Sequence, residues 1–224
     1  MKILAFNGSP RGSQSSTRQL LLAACEGAEK AGATTTVVDI CELDIGYCNA
    51  CGSCYITGDC VLDDDFESVY YQFLNADGII FSSPVYINSV TAQLKTFFDR
   101  LADAVHCQRL SGTYGCSLST AGGALAEEVA EYQNSVIRML GGTSVGSVGV
   151  NIMGNPGAVD AKIPAATALG ADLAAAIREQ RRYPDQEEEH RVRRERMIEL
   201  VRFNKDTWKS EYEYWENQGA YSDR

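Results

Sequence analysis

Four cysteines crowd into one short stretch: Cys48, Cys51, Cys54 and Cys60 form a C-x2-C-x2-C-x5-C run. Three closely spaced thiolates followed by a fourth suit ligation of an iron–sulfur cluster. The short gaps let one loop wrap a cube of iron and sulfide, and the last cysteine closes its fourth corner. Gly52 and Gly58 give that loop the turns it needs. Three other readings stand beside this one. Zinc accepts four cysteines, though structural zinc usually takes two well-separated pairs. A redox-active C-x-x-C needs only two. The third is a loop of free thiols holding no metal.

A second constellation is the segment Gly8-Ser9-Pro10-Arg11-Gly12-Ser13-Gln14-Ser15-Ser16-Thr17, which separates a strand-like run from a helix-like one. The hydroxyls of Ser9, Ser15, Ser16 and Thr17, with free backbone N–H groups at a helix N-terminus, can cradle a phosphate. Arg11 adds charge. The segment is neither G-x-x-x-x-G-K-[ST] nor G-x-G-x-x-G, which disfavours ATP and a Rossmann dinucleotide. By itself it reads equally well as a serine-rich helix cap. Two further loops break the tie. Pro84, Val85, Tyr86, Ile87 and Asn88 offer a kinked backbone and an aromatic ring. Thr120, Ala121, Gly122 and Gly123 let backbone come close to a flat ring.

Strands and helices must alternate to bring these loops together. Ile3–Phe6, Thr35–Ile40, Gly78–Phe81, Gly115–Thr120 and Val145–Val150 read as strands, the third stopped by Ser82-Ser83-Pro84. Leu21, Ala24, Cys25 and Ala28 share one helix face, with a cap at Ser15, Ser16 or Thr17 and an end at Gly32. Leu94, Phe97, Phe98, Leu101 and Val105 form one apolar stripe. Further helices follow Asp65, Leu125 and Pro164. The pattern predicts an α/β fold: a doubly wound, five-stranded parallel sheet of order 2-1-3-4-5, with ligands beyond the carboxyl ends of its strands. Residues 1–182 make up this domain, with a cysteine-rich loop at 47–62. Residues 183–224 form a C-terminal helical extension. Asp185 is expected to cap it, with Glu188 as capping-box partner. Met197, Val201, Trp208, Tyr212 and Trp215 make a stripe along one long helix. Packing on its own domain or on another subunit would both give this stripe, and the expectation leans to a subunit.

GSPRGSQSSTRQL followed by SPVYINSVTAQLKTFFDR resembles the NAD(P)H-dependent FMN reductase group of flavodoxin-like proteins, over roughly Met1–Val150. The resemblance implies FMN, its phosphate held by Ser9, Arg11, Ser16 and Thr17. It also implies ring contacts from Pro84, Val85, Tyr86 and Asn88 and from Thr120–Gly123. The group often has Asn at the place of Ser16 and Gly at that of Asn88. The cysteine run, after strand two of such a domain, is similar to the compact motif of iron–sulfur flavoproteins. It differs from the bacterial ferredoxin run, whose last gap is three residues and precedes proline. That likeness implies a [4Fe–4S] cluster near FMN and a homodimer or homotetramer. The implied activity is electron transfer from a one-electron donor such as ferredoxin, through cluster and FMN, to a small-molecule or protein acceptor. The alternatives are a cluster-free FMN or quinone reductase using NAD(P)H directly, and a non-catalytic FMN-binding carrier or regulatory module.

Composition narrows the partners. The chain of 224 residues carries a formal charge of −10, which repels nucleic acid and anionic membranes. No apolar run reaches membrane-spanning length and no signal-peptide pattern is seen, so the expected location is the cytoplasm. Gly142-Thr143-Ser144-Val145-Gly146 matches G-x-S-x-G, but a helix precedes and a strand follows, the reverse of a nucleophile elbow. The basic residues within Arg191–Arg196 read as a charged helix face, and His190 among them as solvated. Cys25 and Cys116 read as small buried hydrophobes. Cys41 and Cys107 adjoin loops and carry no assignment.

Overall fold

A computed structural model describes residues 1–155 and 157–221. Its centre is a five-stranded parallel sheet in the order β2-β1-β3-β4-β5, formed by Lys2–Asn7 (β1), Thr34–Asp39 (β2), Gly78–Pro84 (β3), Tyr114–Ala121 (β4) and Thr143–Asn151 (β5). The inner strands β1, β3 and β4 are buried almost throughout, serines included, because helices cover both faces. On one face lie Ser16–Lys30 (α1) and Ile163–Glu179 (α7). A Cβ at Gly27 would sit 1.9 Å from the Thr167 carbonyl oxygen, and one at Gly170 would sit 1.8 Å from that of Ala24. Glycine at those two places is what lets the helix axes close on each other. The other face carries Phe66–Leu74 (α3), Ala92–Asp99 (α4) and Ala126–Met139 (α6). Phe6, Phe73, Phe81 and Phe97 interlock beneath them. Cys25 and Cys116 are buried in the α1/α7 face, as expected.

Six expectations need correction. β3 does not stop at Phe81: it runs through Pro84, which still pairs with Thr120 of β4. The Ser82 hydroxyl donates to the Phe6 carbonyl at 2.8 Å, and the Ser83 hydroxyl accepts from the Thr91 N–H at 3.0 Å. Hydroxyls satisfied in this way do not break a strand. The stripe from Leu94 to Val105 spans two helices, α4 and the short Ala102–His106 (α5). The break falls at Arg100, whose guanidinium turns inward to Asp64.

The single C-terminal helix is also two, Pro184–Phe203 (α8) and Lys209–Asn217 (α9). Asn204 ends α8 by donating from its side chain to the Leu200 carbonyl at 2.9 Å. The bend folds Trp215 back onto Met197 and Val201, so the stripe closes on its own chain and not on a subunit. Asp185 is not the cap of α8: Tyr183 is, with Pro184 in the first turn, and Glu188 pairs with Arg191. His190 is half-buried, and that burial lowers its pKa. The other basic residues do form a charged face: Arg191 pairs with Glu188 and Glu195, and Arg193 with Glu189. Ser144 lies in β5 after α6, so no nucleophile elbow forms. No helix among the described residues is long and apolar enough to cross a membrane.

Candidate functional site

Strand register brings three loops to one edge. Asn7 of β1 pairs with Ser82 of β3, and Pro84 of β3 pairs with Thr120 of β4. The serine loop, the Pro84–Asn88 turn and the Thr120–Gly123 segment therefore leave the sheet side by side, at the point where strand order reverses.

The serine loop is built around α1. Ser15 caps the helix, its hydroxyl accepting from the Arg18 N–H at 3.1 Å. The first-turn N–H groups have no intrahelical partner and face the loop, which favours an anion there. Ser9, Ser15 and Thr17 are buried, Ser16 is half-buried and Arg11 is exposed. Thr17 and Thr120 share a hydrogen bond of 2.6 Å between their hydroxyls, which ties α1 to β4 directly. Thr91, absent from the sequence reading, braces the other side: its hydroxyl donates to the Gly8 carbonyl at 2.7 Å.

The ring side is open. A Cβ at Gly122 or Gly123 would meet nothing within 4 Å, so a planar group can lie against that backbone. Tyr86 and Ser89 close a tight turn through paired backbone bonds of 2.9 and 3.1 Å. Ile87 and Asn88 at its tip have φ of 47° and 62°. Asn tolerates that conformation, whereas a β-branched residue there is strained by about 1–3 kcal/mol. Ile87 is also 98% exposed. Buried hydroxyls, orphan N–H groups and open glycines together fit a phosphate joined to a flat ring.

The cysteine loop stands beside this edge. Its ends are clamped at Asp44–Asp65, where the Asp65 N–H donates to the Asp44 carbonyl and the Asp65 carboxylate accepts from the Asp44 N–H at 2.8 Å. Inside that clamp Asp64 accepts from the Gly46 N–H at 2.9 Å and pairs with Arg100 at 2.7 Å, and Arg100 also donates to the Gly46 carbonyl. Both side chains of this ion pair are buried. Burial alone would raise the Asp64 pKa, but hydrogen bonds from Arg100, Gly46 and Phe66 bring it below the ordinary value. The loop interior contains the short helix Ser53–Thr57 (α2), between Gly52 and Gly58 with φ of 72° and 89°.

Cys48, Cys51, Cys54 and Cys60 line a single cavity with Tyr55 and Arg100. The Cys54 thiol is pushed up to about 12 by burial and by nearby Asp103, Glu211 and Cys60. Tyr55 fixes the loop from outside: its ring packs 4.9 Å from His106 and 4.8 Å from Trp208, and His106 stacks on Trp208 at 8°. Sequence reasoning missed Asp64, Arg100, His106 and Trp208, because nothing in their spacing ties them to the cysteines.

A sheet of this order with a phosphate-type loop at its switch point defines a flavodoxin-like flavoprotein. The family model described as "NADPH-dependent FMN reductase" matches residues 1–155. The "Iron-sulfur flavoprotein" of Archaeoglobus fulgidus is 34% identical over 222 residues, covering 98% of this chain and 99% of the other. One of the same description from Methanosarcina thermophila is 42% identical over 100 residues, 45% of this chain and 52% of that one. Among solved structures, an NAD(P)H:quinone oxidoreductase from Methanothermobacter marburgensis superposes with a TM-score of 0.59 at 21% identity, covering 77% of this chain and 95% of the other. The chain belongs to the iron–sulfur flavoproteins within the FMN reductase family. It is a flavin-dependent oxidoreductase.

Proposed function

We propose that the protein carries FMN at the sheet edge and a [4Fe–4S] cluster in the cysteine loop, and moves electrons between a one-electron donor and an acceptor. In this reading Ser9, Arg11, Ser15, Ser16 and Thr17 hold the phosphate. Pro84, Val85, Tyr86, Ile87 and Asn88 flank the ring from one side and Thr120, Ala121, Gly122 and Gly123 from the other. Cys48, Cys51, Cys54 and Cys60 are the iron ligands. When bound, the cluster would supply single-electron exchange and FMN would accommodate one or two electrons.

The chain's own part is positioning. The α1 N-terminus and Arg11 neutralise phosphate charge. The Thr17–Thr120 bond fixes the distance from the phosphate end to the ring end. The Asp64–Arg100 pair closes the cysteine loop, and the Arg100 guanidinium faces the Cys60 sulfur. No side-chain acid or nucleophile is needed at either site. Ferredoxin fits as donor because a cluster exchanges single electrons, and the acceptor is a small molecule or a second protein.

The cavity shared by all four cysteines carries the reading. It also favours the cluster over direct reduction by NAD(P)H, which would leave that cavity without use. Tyr47, Ile87 and Met153, all more than three-quarters exposed, lie beyond the carboxyl ends of β2, β3 and β5. They favour a homodimer or homotetramer joined at the ligand edge; the cytoplasm is the compartment in which a loop of reduced thiols persists. The test is an absorption spectrum with iron analysis on protein purified without oxygen. Flavin bands with a broad shoulder that bleaches on reduction, and about four irons per chain, are expected. Flavin without iron, with the cysteines intact, would leave the NAD(P)H-dependent reductase as the function.

A further inference from the structure

Beside the cysteine cavity, and sharing Asp103 with its lining, lies a second group of metal-type ligands. Asp103, in the first turn of α5, and Cys107, its C-cap, are four residues apart, so their side chains share one face. Glu211 arrives from α9. One carboxylate oxygen of each acid and the Cys107 sulfur all lie within 4.8 Å of one another. Glu211 is 1% exposed and Cys107 is 2% exposed. Among the described hydrogen bonds the Cys107 thiol makes none, though it points at two carboxylates. Three acidic groups buried together penalise one another's charged forms, with His106 and Arg109 as the nearby basic partners. Burial is the largest cause raising the pKa of Asp103, Cys107 and Glu211 alike.

We propose that Asp103, Cys107 and Glu211 bind one divalent transition-metal ion, at a site next to the four-cysteine loop that uses none of its cysteines. A thiolate with two carboxylates suits a borderline ion such as Zn2+ and not the all-oxygen cations Mg2+ or Ca2+. The surrounding shell is in place. The Tyr70 hydroxyl donates to Asp103, and His106 Nδ1 lies 3.0 and 3.1 Å from the two Glu211 oxygens. Partners of this kind orient metal-binding carboxylates. His106 is itself held, its carbonyl accepting from the Trp215 indole N–H at 3.2 Å. An entry path exists too: a cleft lined by Asp59, Tyr71, Arg109, Ser210 and Tyr214 leads to the three ligands. Three anionic donors and a dication sum to −1, which Arg109 beside the site offsets. The ion would pin α9 to α5, and so the C-terminal helices to the helix next to the cysteine loop.

This inference does not depend on the cluster, and its test separates the two. The FMN-loaded full chain is dialysed against Zn2+ in a large excess of Mg2+, and bound zinc is measured. About one zinc per chain is expected at this site, lost in Cys107→Ser and in Glu211→Gln and kept in Cys51→Ser. Equal zinc in the wild type and both pocket variants overturns the proposal. So does zinc that disappears only in Cys51→Ser. Co2+ gives a second readout that does not rest on stability. Its thiolate charge-transfer absorption should persist in Cys51→Ser and vanish in Cys107→Ser, with folding checked by circular dichroism. Absorption that survives in Cys107→Ser counts against the site.

Discussion

The sheet edge and the cysteine loop are adjacent, yet they are held in different ways. At the edge, strand register and a helix N-terminus do the positioning. The buried hydroxyls of Ser9, Ser15 and Thr17 sit where the backbone puts them. In the loop, backbone regularity ends at Asp39, and the only helix before Phe66 longer than one turn is five residues. Its geometry depends on side chains from remote elements: Arg100 from the α4–α5 junction, His106 from α5 and Trp208 from the turn before α9. A site built on backbone is preorganised and tolerates single substitutions. A site built on remote side chains is cooperative and fails when one of them is lost.

The sharpest way to break this comparison is to remove a ligand. On the proposed assignment of Cys54 as an iron ligand, Cys54→Ser should abolish the cluster absorption and most of the iron while flavin stays bound, because the edge shares no residue with the loop. Loss of both cofactors together would mean that the two regions form one unit. Next in size is Arg100→Leu. The Asp64–Arg100 pair is buried on both sides, and leaving one buried charge unpaired costs about 3–5 kcal/mol. Urea unfolding should show that loss. Asp64→Leu combined with Arg100→Leu should recover much of it. The same pair gives a pH signature. The Asp64 pKa is lowered in the folded state, so its contribution is present above the ordinary carboxylate range, near 4, and fades as pH falls below it. Arg100→Leu should therefore lose less stability to acid than the wild type does.

How much of this was legible in sequence follows the same divide. Strand order, the three edge loops and the cysteine spacing could be read because each is local: a short apolar run, a turn, a fixed gap. The Ser82–Ser83 extension of β3 was not legible, since two serines and a proline look like a stop until the Phe6 carbonyl and Thr91 N–H are seen to pair with the hydroxyls. The break at Arg100 interrupts a continuous apolar stripe, and its partner Asp64 lies 36 residues away. Trp208 and Trp215 gave a helical period, but the turn at Asn204 brings both onto His106 of α5, the first through its ring and the second through its indole N–H. Periodicity names the residues that are buried and not what they are buried against.

Trp208 tests the loop at an intermediate level. Its ring stacks on His106 and touches Tyr55, the residue after Cys54. Each such aromatic pair contributes about 0.5–1.5 kcal/mol beyond area burial, so Trp208→Ala should cost about 1–3 kcal/mol. More tellingly, iron should be lost faster to a chelator while flavin affinity is unchanged. An unchanged rate of iron loss would show that α2 holds its place without the C-terminal helices.

The smallest effect is expected at the edge itself. Thr17→Val removes the hydroxyl that meets Thr120 at 2.6 Å, leaving a buried hydroxyl on β4 without that partner. A lost hydrogen bond of this kind is worth about 1–2 kcal/mol. Divided between stability and ligand binding, it should weaken FMN by roughly three- to tenfold, measured by quenching of flavin fluorescence. Thr120→Val should behave alike, and the double variant should lose less than the sum, because the first change has already removed the shared bond. Full additivity would mean that each hydroxyl serves the ligand separately. The edge would then be held, as the loop is, by individual side chains.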